Sequence, residues 1–231
     1  MVQIVDRIPD TIRVAFEKTG DLQYISHLDL VRTMNKILVR AGVPLKYSEG
    51  FNPKPKMVFA SPLSIGVESI CELMDVKIAG EVDLQKIKAS LERNVSDGMK
   101  INDVYIPSSK FSDIKYMSYL IELTTHDPDR SAKQISELFS RPSVEVIKRT
   151  KNGDAPYNVK NSLYKYTVAV ENGVIKIEMM LFSDTSSFLN PEYIIKAIRE
   201  NTDALSPDSP LTEYYSIMRT GMYRSDLTVF R

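Results

Sequence analysis

Cysteine is almost absent from this chain. A single Cys71 among 231 residues cannot close an intramolecular disulfide, which fits a reducing compartment. Histidine is nearly as scarce, with only His27 and His126. No Cys-x-x-Cys pair or His/Cys/Asp cluster exists to hold structural zinc or an iron–sulfur centre. A P-loop and a Gly-x-Ser-x-Gly elbow are also missing, so nucleotide hydrolysis and metal-based redox chemistry lack support and no cofactor is expected. No apolar run of 18 residues could span a bilayer, and no N-terminal run reads as a signal peptide. The expectation is a cytoplasmic soluble protein without membrane contact. Neither sign of charge is in excess, with 30 basic against 30 acidic side chains. Any nucleic-acid site must therefore come from local clustering.

Ordinary globular material is present, with 43% hydrophobic residues, enough for one large domain or two of average size. "TIRVAFEKTG" alternates Ile12, Val14 and Phe16 with Arg13, Ala15 and Glu17, the pattern of a half-buried strand. "SHLDLVRTMNKILVRAG" predicts a helix with Ser26 as N-cap, Asp29 at the capping-box distance, and Gly42 at the end. Its buried stripe is Leu30, Met34, Ile37, Leu38 and Ala41. "KMVFASPL" and "CELMDVKIAG" read as strands, "DLQKIKASLERNV" as a helix with Leu84, Ile87 and Leu91 inward, and "INDVYIP" as a strand.

The second half repeats this order. "YMSYLIELTT" is a strand, and "DPDRSAKQISELFSR" a helix with Asp127 as cap and Pro128 in its first turn. "VEVIKRT" starts a strand followed by a long excursion. "YKYTVAV" and "VIKIEMMLF" flank an Asn-Gly turn. "NPEYIIKAIREN" is a helix, and "EYYSIMRTGMYR" a closing strand. A β-α-β-β-α-β unit folds as a split βαβ. The expected fold is therefore α+β, two tandem ferredoxin-like modules spanning 1–108 and 109–231, each an antiparallel sheet with its helices on one face.

The basic residues cluster. Arg32, Lys36 and Arg40 follow at i, i+4 and i+8 on the first helix. Lys46, Lys54 and Lys56 lie in or beside "YSEGFNPKP", opposed only by Glu49. A second group, Lys148, Arg149, Lys151 and Lys160, faces only Asp154. Tyr47, Phe51 and Tyr157 interleave with these cations, a combination that suits single-stranded RNA: phosphates on the cations, bases on the rings. A solvated charged face would look similar. In "YSEGFNPKP", Pro53 and Pro55 hold Asn52 and Lys54 extended, and Gly50 supplies the turn. The result is a stiff hook that binds at low entropic cost, or a crossover whose Phe51 plugs the core. His27, beside the helix N-cap and three residues after Tyr24, could as a neutral imidazole take a proton from an RNA 2′-hydroxyl. It could equally be a packed imidazole with one structural hydrogen bond. His126 reads as a solvated turn residue.

Arg13, Phe16, Lys18 and Gly20, then "ISHLD", "YSEGFNPKP" and "PLSIGVES", together resemble the radical SAM-linked family, a bacterial domain of unknown function. "KRTKNG" and "RTGMY", the latter containing Arg219, carry the resemblance into the second half. Members of that family occur alone or joined to the C-terminus of radical SAM proteins. The resemblance implies a radical SAM protein as partner and a non-catalytic accessory that presents substrate to it, RNA suiting the basic and aromatic elements. The expected RNA contacts are Arg13, Lys18, Arg32, Lys36, Arg40, Lys46, Tyr47, Phe51, Asn52, Lys54, Lys56, Lys148, Arg149, Lys151 and Arg219. Two alternatives stand beside it. One is a metal-independent endoribonuclease like the CRISPR repeat-processing enzymes, with His27, Tyr24 and a lysine such as Lys36 as its chemical groups. The other is a protein-docking module without a nucleic-acid role.

Overall fold

A run of alternating apolar residues opens the first strand, β1 (Thr11–Lys18), of which Ile12, Val14 and Phe16 are buried. A computed structural model describes residues 10–150, 153–183, 188–205 and 213–231. The chain divides into two compact units, residues 1–111 with Arg231 and residues 112–230.

In the first unit, β1 leads through a 3₁₀ turn into α1 (His27–Arg40), then β2 (Met57–Phe59), β3 (Val67–Lys77), α2 (Leu84–Glu92) and β4 (Met99–Tyr105). The α1 N-terminus forms where expected, because the Ser26 hydroxyl accepts from the Asp29 N–H at 3.1 Å and so satisfies an otherwise unpaired amide. Gly42 ends it at φ 71°, a left-handed conformation that a residue without Cβ adopts at no steric cost. Leu30, Met34, Ile37 and Leu38 are buried, while Ala41 is only partly covered. These residues, with Ile87 and Leu91 of α2, form one core with Ile12, Val14 and Phe16 of β1 and Met74 and Val76 of β3. Both helices therefore pack on the same face of the sheet. Pairing is antiparallel, in the order β4-β1-β3 with β2 on β3.

The second unit runs β5 (Tyr116–Thr124), α3 (Pro128–Ser140), β6 (Glu145–Thr150), β7 (Gly153–Asn158), β8 (Leu163–Glu171), β9 (Val174–Phe182), α4 (Glu192–Asn201) and β10 (Tyr214–Tyr223). Its sheet order is β10-β5-β9-β8, again antiparallel. Asp127 caps α3 through Arg130 N–H, and Asn172 and Gly173, both left-handed, make the β8–β9 turn. At α4, Pro191 takes the cap position and the Asn190 side chain accepts from Glu192 N–H at 3.1 Å.

Two expectations need correction. The excursion after β6 is a strand, β7, paired with β6 from Glu145↔Asn158 to Thr150↔Gly153. This two-stranded ribbon lies outside the four-stranded order. β3 also begins at Val67, four residues before the expected start at Cys71. The chain is thus a mixed α+β protein, mostly antiparallel, with four α-helices among the described residues. No helix among these residues is long and apolar enough to cross a membrane.

Candidate functional site

The loop "YSEGFNPKP" is a clamped hook. Lys46 N–H donates to Lys77 O at 2.9 Å, Lys56 N–H to Lys46 O at 2.8 Å, and Lys77 N–H to Lys56 O at 2.9 Å. Further out, Ser48 N–H donates to Lys54 O at 2.8 Å, and Lys54 N–H to the Ser48 hydroxyl at 3.0 Å. Both limbs are therefore tied to each other and to the end of β3. Pro53 and Pro55 stiffen the returning limb, and Gly50, at φ 116°, makes a turn that other residues resist. Phe51 stands wholly exposed at the tip, so it plugs no core. Asn52 and half-exposed Tyr47 stand with it in solvent.

The base of this hook forms one wall of a cleft of about 990 Å³. Ser48, Lys54, Pro55 and Lys56 line that wall, while Ile106, Pro107, Lys110 and Phe111 line the facing one. Asp75 also lines the cleft, and the fully buried Arg13 behind it holds it through Nε at 2.6 Å and Nη2 at 2.9 Å. The guanidinium also donates to the Ser109 hydroxyl and carbonyl, and it stacks 4.3 Å from the Phe111 ring centroid. Arg13 is thus a clasp that fixes the segment after β4 against the sheet.

Charge in the cleft is unevenly balanced. Asp75 is taken up by Arg13, and Asp10 by Lys77 at 2.7 Å and Lys46 at 3.5 Å. The hydrogen bond from Lys77 draws the Asp10 carboxyl down to about 2. Lys54 and Lys56, both exposed, have no acidic partner among the described residues. Two unpaired ammonium groups over an apolar wall that includes Val58, Ile106 and Phe111 suit an anion carrying a flat or apolar body.

The other expected contacts divide. Three move inside: besides Arg13, Lys18 is buried and donates to Gln23 O and Val67 O, and Arg219 is buried with Met117 Sδ 3.5 Å from its Nη1. They leave the set of cations that a polymer can reach. Burial wins because each finds local acceptors that replace water. On α1, Arg32, Lys36 and Arg40 are exposed as a stripe, but Arg32 is bonded to Asp29 Oδ1 at 3.0 Å. In the second unit, Lys148 donates to Phe188 O at 2.9 Å and lies 4.5 Å from the Tyr157 ring centroid, so the expected cation and aromatic occupy each other. Lys160 donates to Phe139 O near the C-terminus of α3, where a cation offsets the helix dipole. Arg149 remains exposed, and Lys151 lies outside the described residues.

His27 is the first residue of α1. Its ring packs edge-on against Phe59 at 5.2 Å, and its Nδ1 is buried without a hydrogen-bond partner among the described residues. Tyr24 is well exposed. Lys36 follows His27 by nine residues on one helix, a separation of roughly 13 Å along the axis. Two groups so far apart cannot meet at one reacting atom. His126 is exposed, as expected for its turn. The segment around the expected module boundary at 108/109 supplies the cleft's second wall, which the sequence reading missed. Ile106 and Phe111, apolar residues within that segment, were the available signal.

The family described as "uncharacterized protein conserved in bacteria (DUF2344)" matches residues 11–191, which include the whole hook and both cleft walls. The chain belongs to this family. No curated protein matches it. Among solved structures, a Cbf5–Nop10–Gar1 complex is similar at 12% identity with a TM-score of 0.47, over 93% of this chain and 49% of that one. The chain thus spans about half the length of that relative. A structure described as an unknown protein from Galdieria sulphuraria is similar at 10% identity with a TM-score of 0.27, over 91% and 98% of the two chains.

Proposed function

We propose that this member of the family is a non-catalytic accessory that binds single-stranded RNA and presents it to a radical SAM protein. The observation that carries the reading is the hook, a clamped and proline-stiffened projection with a bare phenylalanine at its tip and two unpaired lysines at its base. A ring held wholly in solvent contributes nothing to the packed core, and the exposed face of a base is an apolar partner of the right shape for it. Lysines without counter-charges supply phosphate contacts beside it. Because the hook is already ordered, little conformational entropy is lost when it binds.

We infer that each unit is a ferredoxin-like module, since counting its sheet strands in chain order gives 4-1-3-2 both times, with the β6–β7 ribbon as an insertion. The radical SAM partner comes from the motif resemblance. The test is direct binding of labelled single-stranded RNA at low salt, with purified chain. Salt-dependent binding weakened by Phe51→Ala supports the reading. No binding at low salt, with capture of a radical SAM protein retained, would leave a protein-docking module in its place.

A further inference from the structure

The face of the second unit's sheet turned away from α3 and α4 carries features that the hook does not explain. Residues alternate across this sheet. Tyr119 and Tyr166 point to the helix side, the latter against Phe139 of α3 at 5.4 Å. Their neighbours Tyr116, Ser118 and Leu120 of β5, and Lys165 and Thr167 of β8, therefore point the other way. Cross-strand register brings Tyr223 of β10 beside Tyr116 of β5, and Tyr116 beside Phe182 of β9. Tyr164 of β8 completes the row: the register shift between Leu163 and Lys165 interrupts the alternation there, and its ring centroid lies 4.6 Å from Tyr116 and 5.7 Å from Phe182. One aromatic row thus crosses all four strands, and Tyr164 is 42% exposed.

Beside the row lies a concavity of about 390 Å³ lined by Ser118, Lys165, Thr167, Glu178, Thr220 and Tyr223, among others. Gly221 lets the Tyr223 ring lie down on the strand, since a Cβ there would sit 2.7 Å from the ring. Glu178 is exposed, and no hydrogen bond or ion pair holds its carboxylate among the described residues. Lys115 and Lys165, both exposed, likewise have no acidic partner there.

We infer that this sheet face is a second single-stranded RNA surface, on which bases stack along the aromatic row and one unpaired guanine is read by Glu178. Rings in a row on an open sheet supply stacking platforms for successive bases, and the two lysines supply phosphate contacts. A carboxylate only accepts hydrogen bonds. Guanine alone among the RNA bases offers two adjacent donors, N1–H and N2–H, that match both carboxylate oxygens as an arginine does. Adenine and cytosine place one amine donor beside an acceptor, and uracil sets its single donor between two carbonyls, so each leaves one carboxylate oxygen facing an acceptor.

The inference rests on RNA being the ligand but not on the hook, and one experiment separates the two. Fluorescence anisotropy of the full chain is measured at low salt with labelled U8 and with U8 carrying one central guanine. Wild type is expected to bind the guanine oligonucleotide several-fold tighter. Glu178→Ala should bring the guanine oligonucleotide down to the level of U8, while Tyr164→Ala should weaken both oligonucleotides on the order of tenfold. Phe51→Ala should weaken binding without altering the preference. Both Glu178 and Tyr164 are exposed, and circular dichroism of each variant checks the fold. RNA binding that depends on Phe51 but not on Tyr164 or Glu178 overturns this surface and leaves the hook reading standing. Wild type that binds neither oligonucleotide overturns both.

Discussion

Arg13 holds Asp75 through two hydrogen bonds of 2.6 and 2.9 Å, and their exposures are unequal: the guanidinium side is fully buried, while the Asp75 side chain is 22% exposed. This asymmetry has a consequence for stability. Asp75→Asn strands a buried charge and is expected to cost about 3 kcal/mol. Arg13→Met removes the charge and leaves a carboxylate that can reach water, so it should cost less, despite losing the bonds to Ser109. Urea unfolding of the two variants gives the order. Equal losses, or a larger loss for Arg13→Met, would contradict the clasp.

Asp10 gives a pH signature. Its carboxyl is drawn to about 2 by the Lys77 hydrogen bond, below the roughly 3.9 of an unfolded chain. A depressed carboxyl stabilises the fold above the unfolded value and loses that contribution as pH falls through about 2. The side chain is half exposed, so water screens the pair and the contribution at neutral pH is below about 1 kcal/mol. The stability difference between wild type and Asp10→Asn should therefore be present at pH 6 and fade between pH 4 and 2. It should also shrink in 1 M salt.

His27 is expected to be structural. Its buried, unpartnered Nδ1 costs desolvation without return, so His27→Leu should be neutral or stabilising by up to about 1 kcal/mol. Wild type and His27→Ala should both leave labelled RNA intact over long incubation. Cleavage by wild type that disappears in His27→Ala would overturn this assignment.

Much of the scaffold was legible because its signals are local. Ser26 with Asp29, Asp127 with Pro128, and Asn172-Gly173 each fix the chain within a few residues, and each occurs where the sequence indicates. β7 was not legible: "GDAPYN" lacks alternating apolar residues and contains Pro156, and its strand state comes from pairing with β6. The buried cations failed for a related reason. Nothing near Arg13 in sequence announces Asp75, 62 residues away, and Lys18 and Arg219 are likewise enclosed by tertiary neighbours. At the hook, proline and glycine signalled the stiffness, but Phe51 as plug or as exposed tip is decided only by where the loop ends in space.

Phe51 separates binding from folding. With its ring wholly in solvent, Phe51→Ala should change unfolding free energy by no more than about 0.5 kcal/mol. Its RNA affinity should nevertheless fall by roughly 1–3 kcal/mol, the cost of one lost stacking partner. A large stability loss would mean that the ring is packed in solution.

The most direct measurement is the salt dependence of single-stranded RNA affinity, comparing wild type with Lys54→Gln/Lys56→Gln. Each lysine that contacts a phosphate contributes a slope of about 0.7 in log affinity against log salt, so the double variant should lose roughly 1.4 from the slope. An unchanged slope would mean that the hook's lysines meet no phosphate, and the central claim would fail.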